Sequence, residues 1–304
     1  MGLRVSEATR DQAAALAGLT WGAYAPLLSW SEDEKRRSRA VSLAVWAGTV
    51  PVGLSVSVKG AGGGQNLLSL TVAPAWRRRG VGRLMLRATT ETLIRRGGVT
   101  ALEACFSDRL PGFDGFTALL AAEGWQTPEP TSHRICGPVR ETFSVFRHRA
   151  GIIERLNREG FRILTWAEAG MAALAKVAEL EATGEAPAWA SPRHWLEKLH
   201  PEASMVLVDA DGDVRGWVVC QHQAAMNRWY FPVGWVRQPQ ASRGWLLGAY
   251  AEGARRLGER HGQDTRVVVE SGAGQPDMVR VLERHFRPHA DWADRLMVSW
   301  RKLG

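Results

Sequence analysis

Leu67-Leu-Ser-Leu-Thr-Val72 is followed by Ala73-Pro-Ala-Trp-Arg-Arg-Arg-Gly-Val-Gly82 and then by Arg83 to Arg96, and the reading of this stretch decides the fold. The first six residues are an apolar, β-favouring run, and Pro74 ends it because proline brings no N–H to a ladder. The last segment places Leu84, Leu86, Ala88, Leu93 and Ile94 at mainly helical spacing, and Gly97-Gly98 stops it. Between strand and helix lies a basic turn. The N–H groups of Arg78, Arg79, Gly80, Val81, Gly82 and Arg83 are expected to form a concave nest at the positive end of the helix. Gly80 and Gly82 let a pyrophosphate approach the backbone with no Cβ in the way, and Arg77 adds fixed charge. No GKS or GKT follows the second glycine, so this is not a Walker loop. The G-x-G-x-x-G spacing of a dinucleotide fingerprint is missing too.

Working outward, the first half reads as a mixed α/β unit. Leu3 to Ala8 predicts a strand, and a helix over Ala13–Leu19 has Asp11 as its expected cap. The start of the chain matches a loose myristoylation pattern through Gly2 and Ser6, but it reads better as that first strand. Glu32–Val41 carries acids first and bases last, as a helix dipole favours. Ser42–Trp46 and Val50–Lys59 read as a hairpin, and Gly60–Gln65 as a glycine-rich loop tip joining two strands. Val99–Phe106 reads as a strand and Phe116–Glu123 as a helix closed by Gly124-Trp125. After Ile135–Arg158, read as strand, linker and connecting helix, the order begins again. Strands are expected at Phe161–Trp166, Ser204–Asp209, Val214–Gln221, Asn227–Arg237, Arg266–Glu270 and Arg295–Trp300. Helices are expected at Ala167–Ala182, Pro192–Leu199, Trp245–His261 and Asp277–Phe286. The repeated order is an internal duplication at half the chain length.

With 304 residues, 45% hydrophobic and 23% charged, the composition excludes global disorder and leaves room for two cores. No apolar run is long enough to span a bilayer, and MGLRVSEATRDQ is too polar for a secretory signal, so no membrane partner is expected. Three widely spaced cysteines and eight scattered histidines show no zinc spacing. No metal is expected, and a reducing cytoplasm is the default compartment. The formal charge of +8 is uneven: residues 1–150 hold 19 Lys and Arg against 12 Asp and Glu, whereas 151–304 hold 20 against 19. A basic first half suits a polyanion, a phosphorylated cofactor or nucleic acid. The 34 Arg against 5 Lys equally suit an Arg-rich solvated surface.

Val72, Pro74, Arg77, Gly80 and Gly82 fit V-x-P-x-x-R-x-x-G-x-G, and this segment resembles motif A of the GCN5-related N-acetyltransferase (GNAT) family. The preceding strand, the following strand and the helix end Leu119–Trp125 resemble that family as well. The resemblance covers residues 1 to about 137. It implies an α/β (α+β) fold of two tandem acetyltransferase-like lobes, each a mixed, mostly antiparallel sheet flanked by helices. The expected boundaries are 1–138 for the donor-binding lobe, 139–158 for the linker and connecting helix, and 159–304 for a degenerate second lobe. Acyl-CoA, most simply acetyl-CoA, is the implied donor. Its pantetheine arm would lie between splayed strands, bonded to backbone near Leu70 and Val72, with the pyrophosphate on Arg77–Gly82. The Val72 N–H would face the developing oxyanion.

One departure concerns the tyrosine that many members use to protonate the leaving thiolate. Leu120 stands there. Ser107 and Asp108 are candidate acids, Glu103 is a candidate base, and Tyr24 is a candidate for the acceptor wall; a capping or solvated role competes for each. In the second half, Val236–Leu246 aligns with motif A, with Ala241 for the arginine, Gly244 retained, and Leu246 for the second glycine. One working donor site is therefore expected. Nine of the fourteen tryptophans fall in 159–304, read as core or as a flat wall. Three functions fit: an N-acyltransferase acting on a small primary amine, an aminoacyl-tRNA-dependent acyltransferase in which the basic surface takes tRNA, and a non-catalytic acyl-CoA binder.

Overall fold

The structure is a computed structural model that describes residues 2–142, 151–238 and 244–303. In chain order the first half gives β1 (Leu3–Glu7), α1 (Ala13–Leu16), α2 (Glu32–Arg37), β2 (Val41–Ala47), β3 (Val50–Lys59), β4 (Gln65–Val72), α3 (Val81–Arg96), β5 (Ala101–Ser107), α4 (Phe113–Ala122) and β6 (Glu129–Pro138). The second half gives α5 (Val139–Thr142), α6 (Gly151–Arg158), β7 (Arg162–Thr165), α7 (Trp166–Ala182), β8 (Met205–Val208), β9 (Val214–Gln223), β10 (Arg228–Val236), α8 (Trp245–His261), β11 (Arg266–Gly272), α9 (Pro276–Val281) and β12 (Trp292–Lys302). None of these helices is long and apolar enough to cross a membrane.

Two compact units result: Met1–Thr131 with Arg295–Gly304, and Ser132–Asp294. This division departs from the expected boundaries at 138 and 159, because the closing strands trade places. β12 pairs with β5 from Leu296 opposite Ser107 to Lys302 opposite Ala101, so the end of the chain completes the first unit. β6 pairs with β11 from Ser132 opposite Gly272 to Pro138 opposite Arg266, so it completes the second. Helices α5 and α6, in the stretch expected as linker and connecting helix, belong to the second unit, and 143–150 lie outside the described residues.

The first unit's sheet runs β1-β2-β3-β4-β5-β12. All its pairs are antiparallel except β4 with β5. Strict alternation in β5 buries Leu102, Ala104 and Phe106 and exposes Glu103 and Cys105, as a half-buried strand requires. The buried side packs Leu67, Leu86, Leu93 and Leu120 beneath α3 and α4, with Met297 and Leu303 from β12. On the other side, Leu16 and Leu28 cover Ala44, Trp46, Leu54 and Val56. The first helix is broken into 3-10, α and 3-10 turns, and its start is held by the Gln12 carboxamide, which accepts from the Thr9 N–H at 3.2 Å, in place of the expected Asp11 cap.

The second unit's sheet runs β7-β8-β9-β10-β11-β6, again antiparallel except for one pair, β10 with β11. One face carries α8 over Met205, Val218, Phe231, Val267 and Val269; the other carries α7 over Val206, Val208, Trp217 and Val219. Trp217 and Trp245 are fully buried, which gives those two a core role.

Candidate functional site

In the first unit the parallel pair β4–β5 is bonded only from Gln65 to Leu67, opposite Leu102 to Ala104. Beyond Leu67 and Ala104 the strands part. The Ala73 N–H donates to the Val52 carbonyl at 2.9 Å, which joins Ala73 to β3. Antiparallel ladders alternate, so Val72 and Leu70 turn their amide groups the other way, toward the open edge. The sequence-predicted backbone donors therefore lie along the gap.

At the end of this gap the chain turns on two left-handed residues, Arg78 at φ 60° and Gly80 at φ 81°. Gly80 is the cap of α3, and a Cβ built on it would meet nothing within 4 Å. The first helical bond is donated by Leu84 to the Gly80 carbonyl at 2.9 Å. The N–H groups of Val81, Gly82 and Arg83 thus have no partner one turn back, as at any helix start. Together with the alternation at 78 and 80 they form a nest of the kind that binds oxyanions. Holding an arginine in the left-handed region costs of order 1 kcal/mol, which marks the turn as shaped for a purpose.

What seats the helix start beside the gap is Gly53, a residue the sequence reading passed over. It lies opposite Val72 in the β3–β4 register. A Cβ there would sit 2.7 Å from Met85 Sδ and 3.0 Å from Val81 Cγ1, so only glycine lets α3 settle this close to the sheet. The signal was visible as a lone glycine inside a predicted strand.

The arginines divide by task. Arg77 donates from Nε to the Val72 carbonyl at 3.1 Å and braces the turn against the strand end. Arg79 lies over the Trp76 ring at 5.6 Å, and Arg78 is exposed. The Arg83 guanidinium pairs with Glu123 at 3.0 Å, beside Arg87 at 2.8 Å, because the Glu123 carboxylate is nearly out of solvent and needs cations; the group of Arg83 expected in the nest is its backbone N–H. Only the Arg83 backbone N–H remains for the nest.

The other predicted residues lie on the opposite face of the same strands. Glu103 stands directly across from Trp300, which is 44% exposed, and Cys105 across from Val298. Tyr24 is half-buried on this side: burial pushes its hydroxyl up, and the Cys105 thiol adds to the effect. Ser107 Oγ accepts from the Arg109 N–H at 3.0 Å and serves the turn after β5. Asp108 accepts from the Arg295 N–H and Nε, each at 2.9 Å. Burial raises its pKa, but the bonds and charge of Arg295 outweigh that and hold the carboxyl low. Asp108 is therefore ionised at neutral pH and joins β12 to β5. It is not a proton donor. Leu120 is fully buried, so nothing acts from the position usual for a tyrosine acid. Among the described residues, no three His, Cys, Asp or Glu side chains gather at metal-binding distance.

The second unit repeats this frame. The β10–β11 pair is bonded from Trp229 to Phe231, opposite Val267 to Val269, and then parts. Gly216 stands opposite Val236 as Gly53 stands opposite Val72, and Gly244 caps α8 at φ 79° as Gly80 caps α3. The packing at the helix start is reversed, however. In the first unit Gly82 lies beneath Leu70, 3.9 Å from its Cδ2 to a built Cβ; in the second, Gly234 lies beneath Leu246, at 3.1 Å. Ile152 of α6 would lie 3.3 Å from a Cβ on Gly244 and 3.4 Å from one on Gly248. Side chains thus fill the second helix start. The expected Ala241 falls outside the described residues.

No protein-family profile matches the sequence, and no curated protein matches it. Solved structures do. A tandem GNAT protein from the clavulanic acid biosynthesis pathway is similar over 100% of this chain and 99% of that one, at 15% identity and a TM-score of 0.67. The chain has the tandem GNAT fold. A GCN5-related N-acetyltransferase from Sphaerobacter thermophilus shares it over 99% of this chain and 96% of that one, at 15% identity and a TM-score of 0.59. A GCN5-related glucosamine N-acetyltransferase region in a fungal multi-domain GH3 β-N-acetylglucosaminidase shares it at 14% identity and a TM-score of 0.67; this chain matches it over 98% of its own length and spans 38% of that protein. At such identities the tandem GNAT fold is what is shared.

Proposed function

We propose that the first unit is an N-acyltransferase that moves an acyl group, acetyl in the simplest case, from acyl-CoA to the primary amine of a small molecule by direct attack. One observation carries this reading: of two helix starts built on the same frame, only the first keeps an open nest beside a parted strand pair. The space over Gly80 and the free N–H groups of Val81, Gly82 and Arg83 fit a pyrophosphate. Bound acyl-CoA supplies a thioester open to attack by an amine.

The chain's own part is mostly positioning. The edges of Leu70 and Val72 offer amide groups along the gap, and the Val72 N–H is a donor for charge growing on a carbonyl oxygen. Glu103, exposed on β5, attracts an ammonium and takes its proton. Tyr24, kept protonated by its burial, lines the acceptor side and holds a proton near where a thiolate departs. Measuring melting temperature against CoA concentration tests the reading. A saturable rise is expected. No rise with CoA, together with tRNA binding that weakens steeply with salt, would move the assignment to an aminoacyl-tRNA donor. No response to either would end it.

A further inference from the structure

A second constellation lies in the other unit, around the C-terminal end of α8. Trp229 of β10 is ringed by three imidazoles: His200 with ring centroids 4.8 Å away, His222 at 4.8 Å and His261 at 4.9 Å. His222 stands directly opposite Trp229 on β9, and His261 ends α8. Beside them is an open cavity of about 320 Å³ between α8 and the segment His200–Ala203. That segment is fixed: the His200 N–H donates to the Cys220 carbonyl at 2.7 Å, and the Ser204 N–H returns to the His200 carbonyl at 3.0 Å. The cavity is thus framed by backbone that holds its shape.

Its charges are unevenly satisfied. Arg256 and Arg260 are one helical turn apart and line the same cavity. Arg256 is already taken by Glu252 at 2.8 Å and by Glu168 at 3.6 Å. Glu259 is neutralised by Arg255 at 2.6 Å. Arg260 has no ion pair or hydrogen bond among the described residues. The Nδ1 of His200 is out of solvent and also lacks a hydrogen-bond partner. The cavity thus brings an unmatched guanidinium and the His200 ring to one wall.

We propose that this cavity binds the phosphate group of a small phosphomonoester, held between the Arg260 guanidinium and the His200 ring. Arg260 supplies the fixed charge and a planar fork of donors suited to an oxyanion. His200 supplies a donor once protonated. The cavity has about ten times the volume of one water in the liquid, so the organic part has room beside the phosphate. Without ligand, burial, Arg260, His261 and His222 all hold the His200 pKa down, with Glu202 opposing them. An anion in the cavity offsets the Arg260 charge. Binding therefore takes up a proton on His200 and tightens as pH falls. The site is separate from the first unit's donor nest and does not depend on it.

The test uses sulfate first, since it keeps its charge across the pH range and leaves any pH dependence to the protein. Sulfate is titrated into the full chain, with the His200 ring resonance followed by NMR and assigned with His200→Gln. The ring readout separates this cavity from sulfate bound at the α3 start. A saturable shift is expected, with affinity severalfold tighter near pH 5.5 than near pH 8. Arg260→Ala should abolish the shift and Arg260→Lys should keep most of it, while both melt as the parent does. Glucose 6-phosphate should bind more tightly than sulfate. An unchanged titration in Arg260→Ala, equal affinity at the two pH values, or no saturable shift would each overturn the proposal. A phosphomonoester no tighter than sulfate would strike out its organic part.

Discussion

Gly82→Asp separates the nest from the fold, because the two respond with opposite sign. Gly82 is the second residue of α3 and needs no unusual φ, so an L side chain is allowed. Its Cβ would meet Leu119 Cδ2 at 3.3 Å, the far end of a flexible side chain, with Val72 Cγ2 at 3.7 Å. Relief of that contact is cheap. An aspartate in the first turn gains about 0.3–1 kcal/mol from the helix dipole. The melting temperature should therefore hold or rise. Binding should collapse. A carboxylate about 5 Å from a phosphate repels it by roughly 3 kcal/mol per charge pair at an effective dielectric of about 20. That is about a hundredfold or more in Kd. Gly82→Ala, which adds the Cβ without charge, should lose far less. Calorimetric titration with CoA on the three proteins, beside their melting curves, makes the measurement. Undiminished CoA affinity in Gly82→Asp would refute the placement of the pyrophosphate. A large fall in melting temperature would refute the view that this glycine is kept for the ligand.

Asp108→Asn tests the brace between β5 and β12. The folded carboxyl is depressed, so its contribution is complete above the unfolded pKa near 4 and fades as pH falls below about 4 toward the folded value. The variant should lose roughly 1–2 kcal/mol at pH 7, show a flatter stability profile in acid, and keep the catalytic pH profile of the parent. Deleting Arg295–Gly304 removes seven paired positions and the buried Met297 and Leu303, and circular dichroism melts should show the first unit no longer unfolding cooperatively. Gly53→Val forces Met85 and Val81 aside, with a cost of about 1–3 kcal/mol in denaturant titration and weaker CoA binding. Tyr24→Phe should lower kcat by about a hundredfold with little change in the Kd for CoA, if Tyr24 holds the proton for the leaving thiolate; an unaltered kcat leaves it a wall residue.

The strand–turn–helix was legible because each part has a local cause. An apolar run ended by Pro74, two glycines at a basic turn, and apolar spacing to Gly97 leave few alternatives. The repeat was legible for the same reason, and α8 begins and ends at the residues expected. What stayed hidden depends on long-range pairing. Nothing in Trp292–Lys302 says that it joins a strand almost two hundred residues earlier, since antiparallel partners are chosen by shape and register across the fold. The fates of Arg83 and Asp108 were hidden likewise. Each looks like a free charge in sequence and meets a counter-charge brought from afar, Glu123 for the first and Arg295 for the second.

The two units also show how one helix start stays open and the other is filled without a change of fold. Filling a helix start by a single glycine-to-leucine change would overpack the core under it. In the second unit Leu246 stands where the first has Gly82, and Gly234 stands where the first has Leu70. The volume has moved from strand to helix, so the layer stays packed while the N–H groups at the start of α8 become covered. Ile152 then lies over Gly244 and Gly248, where the first unit has open space above Gly80. This exchange is why the remaining left-handed glycine at 244 gives no nest by itself: φ shapes the backbone, but the neighbouring side chains decide whether an anion can reach it. It follows that Leu246→Gly alone should open a void costing about 2–5 kcal/mol and gain no CoA site. Restoring a site would require changing Gly234, Leu246 and Ile152 together, since each holds the space vacated by another.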